Sequence, residues 1–331
     1  MKPAVEKGRM EGLDSLRGIA AGGVCLYHCC FASEMMPQHG YLSHLAQYGD
    51  KGVQVFFILS GFVIPYSLSR RPYGHGAAGR FLLRRFARIQ PAYWVAVLFT
   101  VLIYGVVLGR PEFFDRGDIA VNAFYLVPFT NSPWLLNISW TLGVEAQFYI
   151  LVALGYPVLT SESPIVRRLA FAFFVLLCFL IRILPEGINP WYVLPTWVPF
   201  FATGLLLFLF RFDKISLNEF LITATCMVAL LLFEYTKLFT LVAVGTGCLV
   251  LALPRGRKLP GHFLGKISYS LYLVHLPVII VLASWLEPLN LVKEHPDFSV
   301  VVLFSASVIA SLPFYYFAEK PSHAWSRRLR G

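Results

Sequence analysis

Residues 119–136 read IAVNAFYLVPFTNSPWLL, apolar enough for lipid but short and broken by Pro128 and Pro133. Whether this stretch crosses a membrane sets the orientation of every segment after it. Ten other runs match the thickness of a bilayer core. They lie near 14–33, 51–69, 92–109, 139–160, 168–184, 191–210, 217–235, 238–253, 264–286 and 298–318.

With ten crossings and both ends in the cytoplasm, the inner side collects most of the 28 Lys and Arg residues. These include Lys2, Lys7, Arg9, Arg17, the cluster from Arg70 to Arg88, Arg255, Arg257, Lys258 and the basic tail. The outer side keeps Lys51, Arg110, Arg116, Lys237 and Lys293, and Arg182 lies within a span. An eleventh crossing at 119–136 would put Arg255-Gly-Arg-Lys258 and the tail outside, against the positive-inside tendency. The stretch therefore reads as a fold-back on the outer side, a suitable wall for an acceptor cleft, because irregular backbone at that depth needs protein or a wet cavity around it.

The composition supports this frame. Of 331 residues, 57% are hydrophobic and 14% charged, whereas soluble domains carry about 25% charge. The expected fold is an all-α polytopic membrane protein of about ten transmembrane helices, both termini cytoplasmic, with a short non-spanning segment near 119–136. It forms a single transmembrane domain over 1–331 with no appended soluble domain. The net charge of +10 sits in membrane-flanking loops and does not point to nucleic acid. Cys25, Cys29, Cys30, Cys178, Cys226 and Cys248 all fall in apolar runs. They read as small buried hydrophobes, with neither a disulfide framework nor metal-ligand spacing. The first apolar run starts near Leu13, shows no small-residue cleavage pattern and is interrupted by Arg17, so it reads as a span rather than a signal peptide.

Polar groups inside spans are costly and mark candidate chemistry. Arg17 and His28 share the first span, about 16 Å apart along a helix. Arg17 has Asp14 three residues before it, so a structural ion pair and a functional guanidinium are both open. The fourth span begins SWTLGVEAQFY, with Glu145 about 9 Å in. A neutral imidazole oriented by a carboxylate is a workable general base at neutral pH, and His28 and Glu145 fit at a common depth. Each is equally able to satisfy a different neighbour.

In GRFLLRRFARIQPAYW, Arg85 and Arg88 are three apart and share a helical face. Arginine forks suit phosphate oxygens, and basic residues beside a span also fix topology or touch anionic lipid. In GKISYSLYLVHLPVII, Tyr272 and His275 line one helical stripe, either as a core histidine held by a tyrosine or as site-lining groups. Ser60 and Gly61 in FFILSGF read as close-packing residues. No P-loop, HExxH, GxSxG or paired metal ligands appear. Polar groups spread over several spans also describe a proton-coupled transporter, so composition leaves the class open.

The chain resembles acyltransferase family 3, bacterial membrane enzymes that O-acylate sugars of exopolysaccharide, O-antigen and related acceptors. The stretches carrying the resemblance are GLDSLRGIAA with the downstream His28, GVQVFFILSGFVI, RRFARIQPAYW, SWTLGVEAQFY and ISYSLYLVHLP, with a terminal EKP. They cover essentially the whole chain, and the one departure within them is SWTL for the commoner SWSL. The resemblance implies a catalytic set of His28, Arg17 and Glu145, with Arg85 and Arg88 handling the donor. Trp140, Tyr149, Tyr272 and His275 are the candidate acceptor-binding residues beside these signatures.

It further implies acetyl-CoA or another acyl-CoA as the donor substrate, no permanently bound cofactor, and no metal. The implied acceptor is a glycan or lipid-linked sugar, and the implied location is the bacterial inner membrane. Direct transfer and an acyl-His28 relay both fit this set. A small-molecule, macrolide-type sugar is the alternative acceptor, and a transporter using His28, Glu145 and His275 as a proton relay is the alternative class.

Overall fold

The computed structural model describes residues 11–32, 36, 38–110, 115–253 and 260–329. The basic residues Lys2, Lys7, Arg9, Arg255, Arg257, Lys258 and Arg330 lie outside the described residues. The fold is all-helical: α1 Glu11–Phe31, α2 Gly52–Ser69, α3 Ala77–Leu102, α4 Arg116–Ala123, α5 Trp140–Leu159, α6 Pro164–Leu176, α7 Leu194–Arg211, α8 Leu217–Glu234, α9 Lys237–Ala252, α10 Ser268–Leu286, α11 Pro296–Phe314 and α12 Lys320–Arg328. Helices satisfy their own backbone groups, as lipid requires.

Among the described residues, eight helical stretches are long and apolar enough to cross a membrane. The two other spans expected from the sequence, near 14–33 and 238–253, form helices that fall short of that length or apolarity. α1 is made more polar by Glu11, Asp14 and Arg17, and α9 has 16 residues. One boundary differs markedly. The helix that carries the third span begins at Ala77, well before residue 92, and runs through α3 into a π-helical turn at Ile103–Val107. The arginine-rich stretch is thus continuous with the span as one helix, with Phe81 and Ala87 buried between its charges.

The chain divides into two compact units interleaved in sequence. One comprises 1–16, 53–82 and 143–259 and the other 17–52, 83–142 and 260–331. In the first unit, α7 is the central element, packing on α6 and its 3-10 extension, α8 and α9. A Cβ on Gly204 would overlap the Ile58 carbonyl oxygen, and one on Gly61 would overlap that of Phe201. Glycine at these two points lets α2 and α7 touch backbone to backbone, the small-residue packing favoured in membranes. Phe148 stacks on Phe201 at 4.2 Å beside this contact. Arg182, the charge expected within a span, pairs with Glu234 at 2.7 Å. Cys226 and Cys248 are exposed on α8 and α9, whereas Cys25, Cys29, Cys30 and Cys178 are buried as expected.

In the second unit, α10 packs most extensively on α11. The stretch 119–136 does not form a spanning helix. α4 ends at Ala123, and Asn122, fully buried, pins the chain as it folds back. Asn122 Nδ2 donates to the Pro133 carbonyl and its Oδ1 accepts from Leu135 N, at 2.9 and 3.0 Å. From α3, Tyr93 donates to the Asn122 carbonyl and Trp94 to that of Ala123. These bonds satisfy backbone that would otherwise be stranded. Tyr125, at φ 59°, makes the turn.

Candidate active site

His28 lies in the last turn of α1, where a cavity of about 490 Å³ opens in the second unit. Tyr27, His28 and Phe31 form one wall. Thr100 and Tyr104 come from α3 and its π-helical extension, Pro133 to Asn137 from the fold-back, and Leu276, Pro277 and Ile280 from α10. The non-spanning stretch therefore supplies a cavity wall. Pro277 lacks an N–H and breaks the hydrogen-bond ladder of α10 at that level. The walls combine aliphatic and aromatic side chains with polar groups from His28, Thr100, Asn137 and the tyrosines.

Behind the cavity, His28 Nδ1 lies 3.0 Å from His275 Nε2. His275 Nδ1 lies 2.9 Å from the Leu271 carbonyl oxygen, and the ring is 1% exposed. Both nitrogens of His275 are thus engaged, and the residue does not line the cavity. Tyr272 is buried too. Its hydroxyl lies 2.7 Å from Thr141 Oγ1 and 3.0 Å from the Ile138 carbonyl, tying α10 to the start of α5. Of the four residues expected to bind acceptor, these two are thus buried and hydrogen-bonded to other protein groups. Trp140, half-buried, is the first residue of α5.

Arg17 is half-buried on α1, three turns before His28. On α3, Arg85 is half-buried and Arg88 exposed. Arg88 acts electrostatically on Glu319, a 3% exposed carboxylate at the end of a π-helical turn. Glu319 Oε2 accepts from both the backbone N–H and the hydroxyl of Ser270, at 3.0 and 2.6 Å. The terminal EKP thus contains a buried carboxyl group, with His323 Nε2 3.6 Å from its other oxygen.

In the first unit, Glu145 Oε1 accepts a 2.5 Å hydrogen bond from Ser60. Tyr149, one turn further along α5, is buried edge-on against Phe81. Two pairings were not visible in the sequence, His28 with His275 and Ser60 with Glu145. The partners are 247 and 85 residues apart, and the only signal was the polar character of each residue within an apolar run.

Three relatives bear on this arrangement. YrhL of Bacillus subtilis, named for peptidoglycan O-acetylation, is 27% identical over 94% of this chain and 54% of its own length. The exopolysaccharide production protein ExoZ of Rhizobium meliloti is 27% identical over 82% of this chain and 89% of its own. The peptidoglycan O-acetyltransferase OatA of Listeria monocytogenes is 31% identical over 43% of this chain and 23% of its own. The chain therefore spans about half the length of the first relative and less of the third. No solved structure matches. The family model described as "Acyltransferase domain" matches residues 10–317, and this multi-pass membrane chain, with its cavity-facing His28, belongs to that acyltransferase family.

Proposed function

We propose that the protein is a membrane O-acyltransferase that moves an acyl group, acetyl in the simplest case, from cytosolic acyl-CoA to a hydroxyl of an exported or cell-surface glycan. The observation that carries this reading is the placement of His28 on the wall of the 490 Å³ cavity, a general base beside a space large enough for a sugar ring. Tyr27 and Trp134 on the same cavity offer faces against which the apolar side of a sugar packs. The names of the relatives, peptidoglycan O-acetyltransferase and exopolysaccharide production protein, support a glycan acceptor.

In this proposal Arg85 and Arg88 hold the donor's phosphates, since guanidinium forks match phosphate oxygens. Arg17, about 16 Å along the helix from His28, guides the donor rather than touching the reacting atoms. His28 removes the proton of the acceptor hydroxyl as its oxygen attacks the thioester carbonyl, and the thiol leaves. Glu145, held by Ser60, belongs to the catalytic set that the family resemblance implies. The chain acts as a single transmembrane domain in the bacterial inner membrane, with both termini cytoplasmic and the 119–136 fold-back on the outer side.

The test uses purified protein in nanodiscs with labelled acetyl-CoA and cell-envelope glycans. Release of CoA thiol with label appearing in glycan is the expected result. Label in a small sugar alone would move the acceptor to the small-molecule class. Indifference to every acyl-CoA, together with substrate uptake driven by a pH gradient, would replace the enzyme with a transporter.

A further inference from the structure

The hydrogen bonds around the two histidines fix more than their proximity. His275 Nδ1 faces the Leu271 carbonyl oxygen at 2.9 Å. A carbonyl oxygen only accepts, so His275 carries its proton on Nδ1. Its Nε2 is then the acceptor in the 3.0 Å bond to His28, which puts a proton on His28 Nδ1. The Val24 carbonyl, one turn back on α1, also hydrogen bonds the His28 ring. In a helix the nitrogen that reaches the carbonyl four residues back is Nδ1, as Leu271 shows for His275. Both partners of the ring therefore call for the same proton, and the lone pair is left on His28 Nε2.

We infer that His275 is a positioning residue that holds His28 in its Nδ1–H tautomer and so makes Nε2 the basic atom of the transfer. The inference rests on the acyltransferase reading and deepens it by naming the atom and the group that selects it. As the acceptor oxygen bonds to the thioester carbonyl carbon, its proton moves to His28 Nε2. The carbon–sulfur bond then breaks and the departing sulfur takes that proton, so thioester plus alcohol becomes ester plus thiol. Nδ1–H donates to His275 in the neutral and the protonated ring alike. The supporting bond keeps one direction through the cycle and needs no reorganisation, which is the economy of a preorganised site. The part played by a carboxylate in other histidine-based sites is played here by a second, neutral imidazole.

The test is nitrogen NMR of 15N-histidine-labelled full-length protein in nanodiscs, without substrate, with the His28 signals assigned by their loss in His28→Gln. In the wild type, Nδ1 of His28 is expected at a protonated and Nε2 at an unprotonated shift. His275→Leu removes one of the two acceptors at Nδ1 and is expected to raise the Nε2–H share of His28 while the Val24 carbonyl retains part of the Nδ1–H form. His275→Gln, whose side-chain oxygen accepts, is expected to keep Nδ1–H. In the transfer assay kcat should fall about 10²-fold or more in His275→Leu, with donor KM held and partial recovery in His275→Gln. A wild-type His28 protonated on Nε2, or a tautomer unchanged by His275→Leu, overturns the inference. The wild-type spectrum decides the matter even where a variant does not fold. Because the tautomer is read in the resting protein, failure of acyl transfer is distinguishable from failure of this assignment.

Discussion

Ser60 Oγ on α2 donates a 2.5 Å hydrogen bond to Glu145 Oε1 on α5. Ser60 is buried at 5% exposure, in a stretch that otherwise contributes only packing. The bond ties α2 to α5 through the one acidic side chain of α5.

Losses on mutating the two should therefore be coupled. Glu145→Gln should lower kcat/KM by about 10²–10⁴-fold. Ser60→Ala should cost about tenfold, the worth of one hydrogen bond to a charged group. In the Glu145→Gln background, Ser60→Ala should cost little more. Steady-state kinetics of the four proteins check this, and the same cycle run between Glu145 and His28 measures whether those two groups are coupled. Fully additive losses would separate them.

The arginine motif should act on the donor. Arg85→Ala should raise the KM for acyl-CoA by about tenfold with kcat largely kept, and Arg85→Lys should not restore it, because a point charge does not replace a bidentate fork. Arg88→Ala should do the same and also lower the melting temperature further than Arg85→Ala does, since it removes the charge that acts on buried Glu319. Donor titrations and thermal unfolding in nanodiscs separate the two effects.

Backbone contact between α2 and α7 makes Gly204 a stability position. Gly204→Ala drives a methyl group into the Ile58 carbonyl and should destabilise the protein by about 1–3 kcal/mol. Gly245→Ala on α9, where a Cβ meets nothing within 4 Å, should be neutral. Unfolding of both variants in the same detergent is the comparison that counts.

The fold-back makes a topological prediction. A cysteine placed at exposed Asn131, in a background with exposed Cys226 and Cys248 changed to Ser, should react with a membrane-impermeant maleimide added to the outside of cells. A cysteine replacing exposed Arg71, in the loop before α3, should react only after the membrane is opened. The reverse pattern would invert the topology.

Most of the architecture was legible because lipid leaves few options. Apolar runs of bilayer length must be helices, and the two prolines in 119–136 with the charge balance around it ruled out a crossing there. What the stretch does instead depends on Asn122, whose amide bonds Pro133 and Leu135, and no periodicity signals a side chain folded back on its own loop. The start of α3 at Ala77 was hidden because its charged residues mask a buried stripe of Phe81 and Ala87. At the site, each polar residue stood out singly, yet which ones meet is set by helix packing across long sequence separations. Thus Ser60 read as packing and His275 as either a core histidine or a site-lining group, while the structure pairs Ser60 with Glu145 and His275 with His28.

The most direct test of His28 as the base of acyl transfer compares wild type with His28→Ala and His28→Gln in the labelled acetyl transfer assay. All three should remain folded, with unfolding free energies that differ by no more than the cost of one unpaired buried acceptor, about 1–3 kcal/mol. Transfer should fall by about 10²–10⁴-fold in both variants with donor binding retained. Transfer at the wild-type rate by a folded His28→Ala protein would contradict that role.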